Sequence, residues 1–590
     1  MESTTPSKYF VYFLEKQKID TVFTVSGGSI HNVLSALDES ESIKLVPCYN
    51  EQGAVFAAEG YARSTGKVGV CLVTSGPGLT NIITGINCCW VDSIPLFVLA
   101  GQVVESQKLI HLKERTRQRG VQESETEGLI NSIVKSYKSI QNPNQFPKIL
   151  KKLWEDAITK RCGPVVLELP VDMSYKYINE IISKEEIAKV SDSTCIEGEV
   201  SLYPLFDSIK NAKLPIFILG NGIRNCPQAI VEDFIIFLQS KNYIYISTWG
   251  SKDIIEQQAN GGKYFGSPGI FGNRKANSLL YFSDCIVSVG CSLGFTHTGY
   301  RVSNLNPESL HIIDIDSSQF CKPELIDANK YLVDAQIFMK EMMLLVNHVS
   351  GNEAFDKLKM LFKKYDLMEN KSAASSKYIA LIKSFNALLK NSVEQNKFIF
   401  CTDMGTSFTA THSYLNCCNG AQLFTASGHA PMGWGLPGAI GAAFGNPGKN
   451  LICLTGDGGL LMDMQELMHL SYYNLNIKLI IINNGGYSTI MNTTNRYHNR
   501  TVASSPSNGV VNPDFRKIAD AYSIPFKKIS DIEEITNYVK DDGPMIIEIN
   551  TEPFEYIGPK LMQSPDNLNE LINMFPFLEP SLIKEVVKTF

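Results

Sequence analysis

Short apolar runs rich in β-branched residues alternate along the chain with stretches of helical period. Residues 21–25, 68–74 and 95–100 read as buried strands, with helical stretches over 29–37, 51–64 and 79–90 between them. A second alternation starts near Leu202, with strands over 215–219, 243–247, 285–289 and 310–315, and a third runs from Phe398 to about Asn550. Strand–helix alternation of this kind predicts parallel sheets covered by helices on both faces. The polar stretch 183–200 reads as a linker, and so does 350–377, although 353–366 has helical spacing. The expectation is an α/β protein of three doubly wound parallel-sheet domains at 1–182, 200–350 and 378–550, with a tail at 551–590. The first and third segments share length and alternation, which hints at two related domains.

Composition narrows the function. A chain of 590 residues suits three domains. The formal net charge is −6 with no basic block, so nucleic acid is not an expected partner. No apolar run approaches the roughly 18 residues of a membrane span, so none is expected. The sequence opens MESTTPSKYF, without a basic segment followed by an apolar one, and its 14 Cys include no CxxC pair. That pattern fits reduced thiols and a cytoplasmic location.

The strongest chemical signal lies in the third segment. A strand over 451–455 runs into Gly456, Asp457, Gly458 and Gly459. A helix is predicted next, with Leu461, Met464, Met468 and Tyr472 on its apolar face. A second strand, 477–482, ends at Asn483, Asn484, Gly485, Gly486 and Tyr487. Glycines let the backbone approach a ligand, and a helix N-terminus offers free N–H groups to phosphate. Asp457 and Asn484 close neighbouring strand ends, where ligands bind in open parallel sheets. A carboxylate, an amide oxygen and a backbone carbonyl are hard donors; two diphosphate oxygens and a water would complete an octahedral Mg²⁺ site. The plainer alternative is a Gly-rich turn with no ligand.

The GDGG segment, its helix and the following strand with NN are similar to the diphosphate–metal signature of thiamine-diphosphate-dependent enzymes. Among these the chain resembles the acetolactate synthase/pyruvate oxidase family. The resemblance implies Asp457, Asn484 and the Gly486 carbonyl as metal ligands, with Gly456, Gly458, Gly459 and Tyr487 on the cofactor. Residues 50–63, NEQGAVFAAEGYAR, independently resemble the family helix that opens with an activating glutamate, here Glu51. That chemistry needs a buried acid beside the aminopyrimidine ring. The acid favours the imino tautomer, which takes the proton from the thiazolium carbon. Burial would raise its pKa. A helix-terminal Glu that merely complements the dipole is the alternative. Relatives often have His before this Glu; this chain has Asn50.

Further segments resemble the same family. TSGPGLTN at 74–81 implies Thr74 and Asn81 near the pyrimidine. APMGWGLP at 430–437 implies Met432 as the wedge that bends the cofactor, and the Ala430 carbonyl as acceptor for its amine. VQE at 121–123 implies Gln122 on the substrate side, as a catalytic candidate, and Lys135 matches a later family lysine there. No two of the nine His are adjacent, which disfavours an aldehyde-releasing decarboxylase and favours carbon–carbon ligation. In the central segment, 219–224 and Asp314 to Asp316 resemble positions that frame FAD, but FTHT at 295–298 replaces the family's FDDR run. FAD is therefore possible but disfavoured. Arg496 and His498 are candidates for substrate or lid contacts, and the tail for covering the site.

The reading is a carboligase that decarboxylates a 2-oxo acid, with pyruvate first in line, and transfers the two-carbon acyl-anion unit to a carbonyl acceptor. Its cofactors are thiamine diphosphate and Mg²⁺, and its assembly a homodimer or a tetramer of dimers. The alternatives are a 2-oxo acid decarboxylase or lyase and a flavin-dependent oxidase of the same superfamily.

Overall fold

The computed structural model describes residues 4–111, 116–179, 200–258, 262–299, 305, 307–351, 353–373, 375–392, 397–561 and 571–589. The expected linker at 183–200 lies almost wholly outside them. Seventeen strands among the described residues form three all-parallel sheets. The first holds β1 (Thr21–Thr24), β2 (Lys44–Pro47), β3 (Gly69–Val73), β4 (Leu96–Gln102), β5 (Ser136–Ser139) and β6 (Pro164–Pro170). The second holds β7 (Pro215–Leu219), β8 (Ile244–Ser247), β9 (Cys285–Val289), β10 (Leu310–Asp314) and β11 (Asn329–Leu332). The third holds β12 (Phe398–Thr402), β13 (Gln422–Phe424), β14 (Asn450–Gly456), β15 (Ile477–Asn483), β16 (Phe526–Ile529) and β17 (Met545–Asn550). Most of these strands are buried on both faces, which is why they read as continuous apolar runs.

The first sheet runs β2-β1-β3-β4-β6-β5 and the third β13-β12-β14-β15-β17-β16, the same order strand for strand. The expected kinship of the two segments is thus present in their topology. Equivalent strands carry the two key segments: β2 leads into the helix Glu51–Thr65, and β13 into the helix Gly435–Gly445. These two helices pack on each other so closely that only glycine fits. A Cβ on Gly60 would lie 2.1 Å from the Gly438 carbonyl oxygen, and one on Gly441 1.8 Å from that of Ala57. A single apolar core runs through both sheets, from Phe23 and Val73 to Trp434 and Leu479.

Three local expectations change. The 79–90 helix is broken into Pro77–Asn81 and Ile83–Asp92, because Ile82 closes the first piece with its N–H on Leu79 and Thr80. The helix after GDGG is three short pieces: Asp457–Leu460, a 3₁₀ turn at Met464–Glu466 and Leu467–Tyr472. Asp463, at φ −133°, interrupts the helical path, and Met468 and Tyr472 face solvent. Most of the second polar stretch is a helix, Glu353–Ala373, whose Leu358, Phe362 and Tyr365 pack on the central unit. The end of the tail also packs there, where the buried Arg274 donates to the carbonyls of Met574 (3.0 Å) and Pro576 (2.9 Å). Its start instead lies beside the 483–487 turn, with the Pro553 carbonyl accepting from the Ser488 hydroxyl (2.6 Å). Among the described residues no helix is long and apolar enough to cross a membrane.

Candidate active site

In both related sheets the chain order reverses beside the first strand, between β1 and β3 and between β12 and β14. Ligands bind outside the carboxyl ends of strands at such points. At the third sheet's reversal Asp403, just past β12, is buried and central. Its carboxylate accepts from Met404 N (2.8 Å), Gly433 N (3.1 Å) and the Thr455 hydroxyl (3.0 Å). It therefore fixes the turn that carries Met432 and Gly433. Burial pushes its pKa up to about 6. Met432 itself is 37% exposed, and Ala430 is held at φ +60° by its N–H on Ala426 (2.9 Å).

One strand further, Asp457 opens the Asp457–Leu460 turn. One carboxylate oxygen accepts from Gly458 N (2.8 Å); the other takes Gly485 N (2.8 Å), Gly486 N (2.9 Å) and the Asn512 amide (2.6 Å). Burial raises its pKa despite these donors. The backbone at Gly485 and Gly486 is in the positive-φ region, which aims two successive N–H groups at one oxygen. Asn484, 6% exposed, has its Oδ1 buried without a partner among the described residues, and so does Asn512. An orphaned buried amide oxygen beside a carboxylate fits a hard divalent cation, which would also offset the burial cost of Asp457. The Gly486 carbonyl accepts from Ser488 N (3.1 Å), leaving one lone pair. Tyr487 lies against Gly458, where a Cβ would come within 2.3 Å of its ring. Gly456 and Gly459 complete the turn, with Gly459 against Asp403 Oδ2. Asp457, Asn484 and the Gly486 carbonyl thus lie together past the carboxyl ends of β14 and β15, two central strands of the third sheet.

In the first sheet the Glu51 helix is capped by Asn50, whose side chain accepts from Gln52 N (2.7 Å). Asn50 therefore does a structural task as the cap of this helix. Glu51 is half-buried and accepts from the Asn81 amide at 2.8 Å. Thr74 is buried and its hydroxyl meets that of Ser29 at 2.8 Å; Ser29 also accepts from Ser75 N. Gly76, at φ +63°, packs on the Gln122 backbone, where a Cβ would lie 2.8 Å from the Gln122 oxygen. Glu51, Thr74, Asn81 and Gln122 therefore gather at one end of the first sheet. The full enclosure expected around Glu51 is not supplied by a single chain.

Lys135 behaves differently from the expectation. Its Nζ donates to the carbonyls of Asp156 and Thr159 (2.9 Å), closing the end of the helix Phe146–Ile158. Lying just before β5, it is engaged by the end of a neighbouring helix. His498 is exposed on the last turn of the helix Ser488–His498, which also carries Arg496. The sequence reading missed Asp403, Asp463, Glu466 and Asn512. Asp463 is buried with Oδ2 unpartnered, and burial, then Glu466, raise its pKa to about 7.

The central sheet has its own reversal between β7 and β9. A cavity of about 650 Å³ opens there, lined among others by Asn221, Gly222, Gly290, His297 and Asp314. Arg224 is engaged by Asp253 (2.5 Å) and the Gly250 carbonyl (2.6 Å), and Arg161 by Asp316 (2.9 Å).

Three family models match the chain in the order of the sheets. They are the N-terminal TPP binding domain of thiamine pyrophosphate enzymes over residues 4–126, their central domain over 204–341, and their C-terminal TPP binding domain over 403–549. The chain is 29% identical over 583 residues to the probable acetolactate synthase large subunit of Methanococcus aeolicus, spanning 94% of both chains. It is 28% identical to the acetolactate synthase large subunit of Lactococcus lactis, over 95% of this chain and 94% of that one. It is 27% identical to the isozyme 1 large subunit of Escherichia coli, over 94% and 95%. The chain belongs to the thiamine pyrophosphate enzymes and is acetolactate synthase-like.

Proposed function

We propose that this enzyme decarboxylates pyruvate and transfers the two-carbon unit to a carbonyl acceptor, with Glu51 as the activating acid and Asp457, Asn484 and the Gly486 carbonyl holding Mg²⁺. The class of reaction, thiamine-diphosphate-dependent decarboxylation with carboligation, follows from the family; simple decarboxylation is not favoured. The observation that carries the metal assignment is the buried, unpartnered Asn484 Oδ1 beside a fully hydrogen-bonded Asp457. Bound thiamine diphosphate supplies the carbanion-stabilising chemistry. The protein's part is to hold the diphosphate on the 456–459 turn, to set the bend through Met432, and to present the Glu51 carboxyl, oriented by Asn81, to the pyrimidine. Thr74, Asn81, the Ala430 carbonyl and Tyr487 frame the cofactor, and Gln122 faces the substrate.

A homodimer would complete the half-buried surroundings of Glu51. Tyr49, Trp90, Met462, Met468 and Tyr472 are exposed large apolar side chains in the segments next to Glu51, Asp92 and Asp457, as expected of a face covered by a second copy. Location in the cytoplasm is part of the same reading. A second reading, a flavin-dependent relative, is favoured only by the central cavity of about 650 Å³.

The test is incubation of purified protein with Mg²⁺, thiamine diphosphate and pyruvate against a panel of aldehydes and ketones, with products identified by mass. A ligation product supports the proposal, and acetaldehyde alone overturns it. Flavin absorbance of the purified protein would establish the second reading. Glu51→Gln should lower kcat by about 10²-fold or more with metal retention intact. Asp457→Ala should abolish retention of metal and diphosphate.

A further inference from the structure

Glu466 and His469 belong to the third sheet's unit but reach across the chain to the four residues before Glu51. Glu466 Oε1 accepts from Tyr49 N and Asn50 N, both at 3.1 Å. His469 Nε2 meets the Pro47 carbonyl at 2.9 Å, and its Nδ1 lies 3.2 Å from both the carbonyl and Oε2 of Glu466. Both side chains are buried, at 1% and 2% exposure. Room for the carboxylate is left by Gly53, where a Cβ would lie 2.6 Å from Glu466 Oε1.

Cys48, Glu466 and His469 offer three donor atoms within 4.8 Å of one another, the shape of a small metal site. The hydrogen bonds argue otherwise. The Pro47 carbonyl can only accept, so Nε2 carries a proton. Nδ1 faces only acceptors, so it carries one too. An imidazolium has no lone pair for a metal. The group is an ion pair whose carboxylate also takes two backbone N–H groups, the strong class of hydrogen bond.

We infer that Glu466 and His469 are positioning residues: a clasp that fixes residues 47–50, and through them sets the orientation of Glu51 at the first turn of its helix. This rests on the role proposed above for Glu51. The clasp explains why a carboxylate is buried with a histidine that contacts none of the proposed metal ligands among the described residues. It also ties one sheet's activating acid to the element that follows the other sheet's diphosphate turn.

The charge on His469 gives the clasp a pH dependence. Burial works against that charge, but the hydrogen bond and charge of Glu466 outweigh it and raise the histidine's pKa above its usual value. The remaining titratable neighbours are Cys48, held neutral by burial and by Glu466, the Tyr49 ring at 5.5 Å, the Tyr473 ring at 5.8 Å, Lys44 over Tyr473 and, behind Glu466, Asp463. A raised folded pKa means that the clasp is complete below the unfolded histidine value and is lost as pH rises through the folded one.

The experiment uses the full chain with Glu466→Gln, His469→Gln and Gly53→Ala, and Glu51→Gln as reference. Amide hydrogen exchange of residues 47–52 is measured without cofactor, from pH 6 to 9; kcat, KM for pyruvate and cofactor affinity are measured with Mg²⁺ and thiamine diphosphate. Exchange at Tyr49 and Asn50 should rise about tenfold in Glu466→Gln, the size expected for losing charge-assisted hydrogen bonds, while the amides of β14 stay protected. kcat should fall by a similar factor with cofactor affinity nearly unchanged. His469→Gln, which keeps a donor for Pro47, should flatten the pH dependence of that exchange. Gly53→Ala, which displaces the carboxylate and keeps its charge, should act like Glu466→Gln. Wild-type exchange, or wild-type kcat with raised exchange, in a folded Glu466→Gln protein overturns the clasp. Wild-type turnover in Glu51→Gln overturns the reading on which it rests, and the cofactor-free exchange data tell the two failures apart.

Discussion

The Trp434 indole N–H donates to Glu59 at 2.8 Å, joining the helix that begins with Glu51 to the turn that carries Met432. Arg63 holds the other Glu59 oxygen at 2.6 Å and reaches Asp92 at 2.6 Å. Glu59 is fully buried, and burial raises its pKa even with Arg63 beside it. This network lies inside the shared core between the two related sheets.

Removing Arg63 should therefore be costly in a pH-dependent way. Arg63→Met leaves a buried carboxylate without its counter-charge, a loss of about 3–5 kcal/mol. The raised folded pKa means that ionised Glu59 is disfavoured by folding: its contribution is favourable below the unfolded value and lost as pH rises through the folded one. In Arg63→Met that folded pKa moves higher still. The destabilisation should be full at pH 8 and shrink toward pH 5, where Glu59 takes up a proton. Urea unfolding midpoints across that range check it.

The helix contact makes a second prediction. Gly441→Ala would place a methyl group 1.8 Å from the Ala57 carbonyl oxygen, and backbone cannot swing aside as a side chain can. Overpacking of this kind costs about 1–3 kcal/mol. Gly28→Ala, with nothing within 4 Å, should change stability by less than about 0.5 kcal/mol. Equal thermal shifts in the two variants would contradict the packing account.

Much of this arrangement was legible in the sequence. Doubly buried strands print as apolar runs, and the Asp457 and Asn484 turns stand out because glycine clusters at strand ends have few structural explanations. Glu466 was not legible. In the sequence it is one more acid on a predicted helix, and its partners Tyr49 and Asn50 lie more than 400 residues upstream. Asn512 reaches Asp457 from an irregular segment, where no periodicity marks it. The helix Glu353–Ala373 was legible over 353–366, and its remainder read as linker because its surface is densely charged and only one stripe is apolar.

Lys135 shows how a resemblance can mislead about a side chain, and its role is checkable. Its ammonium satisfies two carbonyls at the end of the helix Phe146–Ile158, as cations at helix C-termini do. Lys135→Ala should cost about 1–2 kcal/mol of stability and leave kcat and KM for pyruvate within twofold of wild type. A large KM increase with unchanged stability would restore a substrate role. Thermal unfolding and steady-state kinetics on the same preparation decide between them.

Ala430 carries backbone strain at the point where the carbonyl that faces the cofactor amine is proposed to lie. Its φ of +60° is in the left-handed region, where a Cβ costs roughly 1–2 kcal/mol, and Gly433 two residues after Pro431 is also at positive φ. Nothing buries Ala430, so packing does not require its methyl group. The strain is held by its N–H on Ala426 and by Asp403 gripping Gly433, both of which fix the turn from outside. Ala430→Gly removes the Cβ clash but gives the unfolded chain more freedom, so the net gain in stability should be about 0.5–1 kcal/mol. The same freedom loosens the turn before cofactor arrives, so the affinity for thiamine diphosphate should fall severalfold even as the melting temperature rises. A variant that gains stability and loses no affinity would show that the strained turn is not part of the cofactor site.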